Sequence, residues 1–202
     1  LGLTDRRRNF ARSGRRGANS PGPRVDPGDR SARLLARFSA PRDLPMDIVV
    51  CIKRVPATDT AIKIAADGKS IDTAGVTFEL NAYDEFALEQ ALRIKEQLGA
   101  GSVTVVTIGS KDAQKELRDT LARGADKAVL LTTDQWVFDG ASTAAALAAW
   151  IKTQPCQLVL CGRQAVDSDN NQLPANLAAR LGFACVTEVA KLELANGVFT
   201  AE

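Results

Sequence analysis

The residues best placed to do chemistry lie between Gly162 and Leu173, reading GRQAVDSDNNQL. The apolar run Leu158-Val159-Leu160-Cys161 precedes them, and Pro174 follows with Leu177, Ala178 and Leu181 at helical spacing. A short apolar run that stops at a glycine suits a strand buried on both faces of a parallel sheet. Proline suits the first turn of a helix, where its missing N–H has no partner to lose. The pattern is strand, polar loop, helix start. In an open α/β sheet, ligands sit beyond the carboxyl ends of strands, where N–H groups and the helix dipole face an anion. The loop has neither GxGxxG nor GxxxxGK[ST], so neither of those phosphate-binding classes is supported. Arg163 is its only cation, while Asp167 and Asp169 disfavour extra negative charge. A polar surface loop on an α/β domain is the plain alternative.

The chain has no histidine. Histidine acid–base catalysis, Ser/His/Asp triads and histidine metal sites are thereby excluded. None of the four cysteines, Cys51, Cys156, Cys161 and Cys185, forms a CxxC pair. Three lie in or beside apolar segments, so free thiols in a reducing compartment are expected, the bacterial cytoplasm first and the mitochondrial matrix second.

Charge is unevenly spread. Residues 1–45 hold eleven Arg, no Lys and four Asp, whereas residues 46–202 hold fifteen basic and twenty acidic residues. An acidic folded part argues against nucleic acid as a partner. No apolar run approaches the roughly 20 residues that a spanning helix needs.

The elements that must position the loop read in order. The leader 1–45 is rich in Arg, Gly, Pro and Ser, and composition predicts disorder. It could be a targeting presequence or a basic arm. The reading favoured is an upstream extension, with translation starting at Met46, the chain's single methionine. Asp47–Ile52 is a β-branched strand ended by Lys53-Arg54-Val55-Pro56. Asp67-Gly68 marks a small hairpin between Ile62–Ile64 and Ser70–Asp72. Asn81-Ala82-Tyr83-Asp84-Glu85 opens an amphipathic helix that includes Phe86 and Leu88 on its apolar face and stops at Gly99, with Asn81 as N-cap and Asp84 closing a capping box. Val103–Gly109 is a strand, Ser110 caps a helix over 112–123, Ala128–Leu131 is a strand, and Asp139 starts a helix through Trp150. Such alternation predicts an α/β fold with a parallel sheet and right-handed crossovers. Its strand ends at Cys51, Ile108 and Cys161 share one rim with Asn81, and a nucleotide-sized crevice there is the expected binding site. Residues 46–182 are read as that domain. After Gly182, Asn196-Gly197 marks a β-hairpin, so residues 183–202 are read as the start of a β extension that belongs to a larger unit.

Five pieces in this order, Val50-Cys51-Ile52-Lys53-Arg54-Val55, Asn81–Glu85, Thr107-Ile108-Gly109, Leu121–Asp126 and Gly162–Gln172, resemble the β subunits of electron transfer flavoproteins from Met46 onward. The resemblance implies a Rossmann-like fold of the adenine nucleotide α-hydrolase-like type and a heterodimer with an α subunit. It also implies AMP as a structural ligand of this chain, and FAD held mostly by the α subunit. In this family electrons pass from acyl-CoA and related dehydrogenases to a membrane quinone oxidoreductase, so the chain would be a carrier subunit with no turnover of its own. Carried over position by position, the cofactor contacts fall on Cys51, on Asn81, Ala82, Tyr83 and Asp84, and on Ile108. They continue over Gly162, Arg163, Gln164, Ala165, Val166, Asp167, Ser168, Asp169, Asn170, Asn171, Gln172 and Leu173. Tyr83 matches a position near the flavin ring, and Asp84 is expected to accept from ribose hydroxyls. Leu173-Pro174 departs from the family, which has a small residue after the glutamine. The competing reading is a stand-alone adenine-nucleotide domain, either a regulator or an ATP-pyrophosphatase. The enzyme needs an SGGxDS-like loop after its first strand, and Lys53-Arg54-Val55-Pro56 is unlike it.

Overall fold

The computed structural model describes residues 2–6, 36–39, 45–134 and 139–202. Strand β1 is Gly2–Arg6 and β2 is Ala36–Ser39. The central domain begins with β3 (Met46–Cys51), β4 (Arg54–Pro56), β5 (Phe78–Leu80) and helix α1 (Ala82–Leu98). It continues with β6 (Gly101–Gly109), α2 (Gln114–Ala122), β7 (Lys127–Thr132), α3 (Gly140–Ile151), β8 (Leu158–Cys161) and α4 (Leu173–Leu181). Strands β9 (Phe183–Val186), β10 (Leu192–Ala195) and β11 (Val198–Ala201) follow.

Among the described residues the main sheet runs β7-β6-β3-β8-β1-β9. β7, β6, β3 and β8 are mutually parallel, so this is the α/β parallel sheet the alternation predicts. Period-2 alternation along β3 sorts the core into two layers. Ile48 and Val50 face Leu88 and Ile94 of α1, while Val49 and Cys51 face Leu147 and Ile151 of α3 and Leu177 of α4. Gly99 ends α1 in the left-handed region at φ 67°, and Gly182 does the same for α4 at φ 71°. Asp139 caps α3, accepting from the N–H groups of Ala141 and Ser142.

Four expectations are corrected. Gly2–Arg6 and Ala36–Ser39 fall in the leader that composition marks as disordered, yet both are strands, while nearly all the rest of that leader lies outside the described residues. β1 pairs antiparallel with β8 on one side and β9 on the other, and β2 pairs with β11. Open strand edges accept any extended segment through backbone groups alone, a force that side-chain composition does not register. The excursion around Asp67-Gly68 is reduced to a single bridge, Ile64 to Ile71, with the turn held by N–H groups of Lys69 and Ser70 donating to Asp67. Phe86 is not on the buried face of α1; it is 68% exposed. Ser110 caps a short 3-10 turn, Lys111–Ala113, which then leads into α2.

The Asn196-Gly197 hairpin forms as expected, with both turn residues at positive φ. It does not stand alone. Phe199 is buried in the α1 layer, and Gln90 and Gln97 of α1 donate to the carbonyls of Leu192 and Leu194.

Candidate functional site

A cleft of about 630 Å³ opens at the carboxyl ends of β3, β6 and β8. One wall is the loop between β8 and α4. The opposite wall carries Arg54, Thr73 and Phe78, and the start of α3 contributes Gly140 and Thr143. Its size falls within the range of small-molecule sites, about 300–1,000 Å³.

Most of the residues singled out in the sequence meet here. Cys51, Asp84, Ile108, Gly162, Arg163, Gln164, Ala165, Asp167, Ser168, Asn170, Asn171, Gln172 and Leu173 all line the cleft. Asn81, Ala82, Tyr83, Val166 and Asp169 do not line it. Asp169 and Asn171 adopt left-handed backbone at φ 49° and 51°, a conformation that Asp and Asn accept more readily than other side chains. Gln172 precedes α4 without a side-chain cap bond, and Pro174 occupies the helix's first turn.

The first turn of α1 is where the geometry departs most from expectation. Asn81 makes no side-chain cap bond. Its amide Nδ2 donates to the carbonyl of Gln164 at 2.9 Å, and its Oδ1 accepts from the N–H of Val166 at 3.1 Å. Asp84 closes no capping box either. One carboxylate oxygen accepts from the N–H of Lys53 at 2.8 Å, and the other from the N–H of Gly162 at 3.1 Å. The helix start is thus tied to two strand ends and the loop at once. These bonds outcompete capping because Asn81 and Asp84 are 1% and 6% exposed, and buried loop N–H groups cannot turn to water. Gly162 has no room for a side chain: a Cβ there would fall on the Asp84 carboxylate and 2.8 Å from the backbone carbon of Tyr83.

Electrostatics follow from burial. Desolvation pushes the Asp84 carboxyl up to about 7, against the lowering effect of bonds from Lys53, Asn81 and Gly162. Cys51 and Cys161 are register partners on β3 and β8, both buried at the cleft floor. A hydrogen bond to Cys161, then burial, hold the Cys51 thiol well above the usual thiol range. The Cys51 thiol is therefore neutral and weakly nucleophilic.

Two cations were missed in the sequence. Lys53 Nζ reaches across to Asp167 Oδ1 at 2.6 Å and Ser168 Oγ at 3.4 Å. Arg54 lies over the Phe78 ring, 3.7 Å from its centroid, with Nε 3.4 Å from the buried Glu116 carboxylate. The available signal was their place, directly after a strand at the rim where ligands bind. Among the described residues Arg163, the cation singled out in the loop, pairs only with Glu188, at 3.7 Å and largely in solvent.

A parallel α/β sheet with a cleft at its carboxyl rim, walled by a polar loop that runs into a helix, defines a nucleotide-binding type of domain. Comparison with known proteins gives the family. The Electron transfer flavoprotein domain family matches residues 69–202. The electron transfer flavoprotein subunit beta of Bacillus subtilis is 37% identical over 151 residues, covering 74% of this chain and 58% of that protein. The subunit beta of Thermoanaerobacterium thermosaccharolyticum is 41% identical over 150 residues, 74% of this chain and 57% of its own length. Protein FixA of Bradyrhizobium diazoefficiens is 40% identical over 169 residues, 78% and 57% respectively. The chain belongs to the electron transfer flavoprotein family. It spans 58%, 57% and 57% of the length of these three relatives. Among the described residues, no helix is long and apolar enough to cross a membrane.

Proposed function

We propose that this chain is the β subunit of an electron transfer flavoprotein. In this reading it binds AMP in the rim cleft and pairs with an α subunit that holds most of the FAD. Electrons would arrive from acyl-CoA or related dehydrogenases and leave toward a quinone oxidoreductase, with no substrate turnover by this chain. The observation that carries the reading is the loop Gly162–Gln172, tied to α1 and walling a cleft, inside the segment that matches the family.

The residues fit a mononucleotide. The cleft is large enough for AMP, and its floor at Cys51 and Ile108 offers backbone groups that suit adenine edges. The polar loop leading into α4 suits one phosphate, although Pro174 removes one donor N–H. Lys53, Arg54 and Arg163 each already stand beside a carboxylate. Little positive charge is left over for a polyphosphate, and Asp112, Asp134 and Asp167 line the same cleft. Each added phosphate charge should cost on the order of 1 kcal/mol near such a surface. The electron chemistry itself is the flavin's; the chain's share is to hold the nucleotide and form one side of the subunit interface.

A competition titration of AMP, ADP, ATP and FAD against the chain tests the nucleotide, and AMP is expected to win. ATP or FAD outcompeting AMP would overturn the monophosphate assignment. Purification from the native source with a visible spectrum tests the rest. Flavin absorbance in a complex with a second subunit is expected; AMP binding without flavin or partner would favour the stand-alone nucleotide-binding domain.

A further inference from the structure

The resemblance assigns Asn81 to the nucleotide, and helix chemistry assigns it to a cap. The geometry points to a third role. We propose that Asn81 is a positioning residue, whose amide sets the shape of the loop turn at 164–166 on which nucleotide binding depends, with Asp84 anchoring the loop's first residue beside it. This rests on the reading of the cleft as a nucleotide site, and it assigns that site's shape to a residue outside the cleft.

Three observations carry it. Asn81 is 1% exposed and lies outside the cleft lining, while Gln164 and Ala165 line it. Its two amide atoms bond one carbonyl and one N–H of the same loop, at Gln164 and Val166. That pairing needs a donor and an acceptor on one short planar group. Aspartate offers two acceptors when charged, and alanine offers nothing. Third, the start of the loop is anchored, because the Gly162 N–H donates to Asp84 at 3.1 Å and Gly162 packs against the first turn of α1 without space for a Cβ. Beyond the clamp, the chain turns tightly, with the N–H groups of Ser168 and Asp169 both donating to the carbonyl of Ala165. Two fixed points, at 162 and at 164–166, therefore precede the stretch that carries Asp167, Ser168 and Asn170 into the cleft wall.

The test uses the full chain with Asn81→Ala and the isosteric Asn81→Asp. In the free protein, hydrogen exchange of the Val166 amide should quicken about tenfold or more in Asn81→Ala, while amides of the central strand β3 stay protected. AMP affinity should fall about tenfold in both variants at pH 8. In Asn81→Asp the new carboxyl, once protonated, again presents a donor to Gln164 and an acceptor to Val166. The ratio of its AMP affinity to that of wild type should therefore climb back toward one as pH falls to 5. Asp84 accepts from Asn81 and titrates in the same pH range, so the pH series is repeated with Asp84→Asn in both proteins, while Lys53 and Asp167 are common to both. A merely structural asparagine gives no such recovery. Unchanged Val166 exchange in Asn81→Ala, or a ratio flat with pH, overturns the proposal. If wild type binds no AMP, the functional reading fails on its own, and the exchange measurement still decides the clamp.

Discussion

Replacing Gly162 by alanine should cost far more than its single methyl group suggests. The added Cβ would fall on the Asp84 carboxylate, 2.8 Å from the backbone carbon of Tyr83 and 2.9 Å from the backbone nitrogen of Asp84. Ordinary contact begins near 3.4 Å. Two of the three atoms belong to the main chain of α1, so no rotamer change relieves the overlap, and loop and helix must part by about half an ångström or more. Overpacking of this kind costs about 1–3 kcal/mol. The movement also stretches the bond from the Gly162 N–H to the carboxylate, and a bond to a charged group contributes about 1.5–3 kcal/mol. A combined loss of about 3 kcal/mol lowers the melting temperature by roughly 6–12 °C for a chain of this size. Gly109 is the control. It ends β6 on the same rim, but a Cβ there meets only the Ala113 Cβ, at 3.8 Å. Thermal unfolding followed by circular dichroism should show Gly162→Ala well below wild type and Gly109→Ala close to it. Equal midpoints for the two variants would refute the tight approach of loop and helix.

Asp84 should leave a signature in stability against pH. Its folded-state carboxyl is raised from 3.8 to about 7, so the folded protein holds the proton more tightly, and this favours folding fully below about pH 4 and is lost as pH rises through 7. Denaturant titrations should therefore show wild type losing about 3 kcal/mol relative to Asp84→Asn between pH 4 and 8; parallel curves would refute the burial argument. Lys53→Met removes an ion pair that is partly open to water, so stability should change by less than about 1 kcal/mol. AMP affinity by calorimetry at low salt should nevertheless fall about fivefold, and no change would remove Lys53 from the site. On α1, Phe86→Ala should shift stability of the isolated chain by less than about 0.5 kcal/mol, since its ring is 68% exposed. Leu88→Ala, at 1% exposed, should cost about 2–5 kcal/mol, and a reversal of that order would overturn the orientation of the helix.

The parallel sheet was legible because its strands are short β-branched runs separated by helices with clear stops. Gly99 and Gly182 each mark a helix end by a left-handed backbone conformation that glycine adopts more freely than any other residue. The rim cleft followed from where those strands end. Local rules failed where a side chain's partner lies far away in sequence. Asn81 next to a helix start reads as a cap, but its partners stand more than eighty positions downstream, at Gln164 and Val166. Lys53 read as the end of a strand, yet Asp167 and Ser168 reach it through the fold. Phe86 falls at a position that a helical pattern counts as apolar, and only the packed structure shows that the described residues leave it 68% exposed. The pairing of β1 and β2 depends on strand edges whose existence the leader's own composition does not encode.

The insertion of β1 between β8 and β9 bears on how the chain assembles during synthesis. Gly2 pairs with Cys161, and Arg6 with Phe183. A segment that precedes the domain in sequence must therefore wait until nearly the whole domain has left the ribosome before its backbone groups find partners. Among the described residues β9 joins the main sheet only through β1, so that edge cannot be completed earlier than the insertion. Such long-range closures are the slow steps of folding. β7, β6 and β3 can associate as soon as they emerge, whereas the β8 edge stays open and able to recruit another extended strand until β1 returns to it.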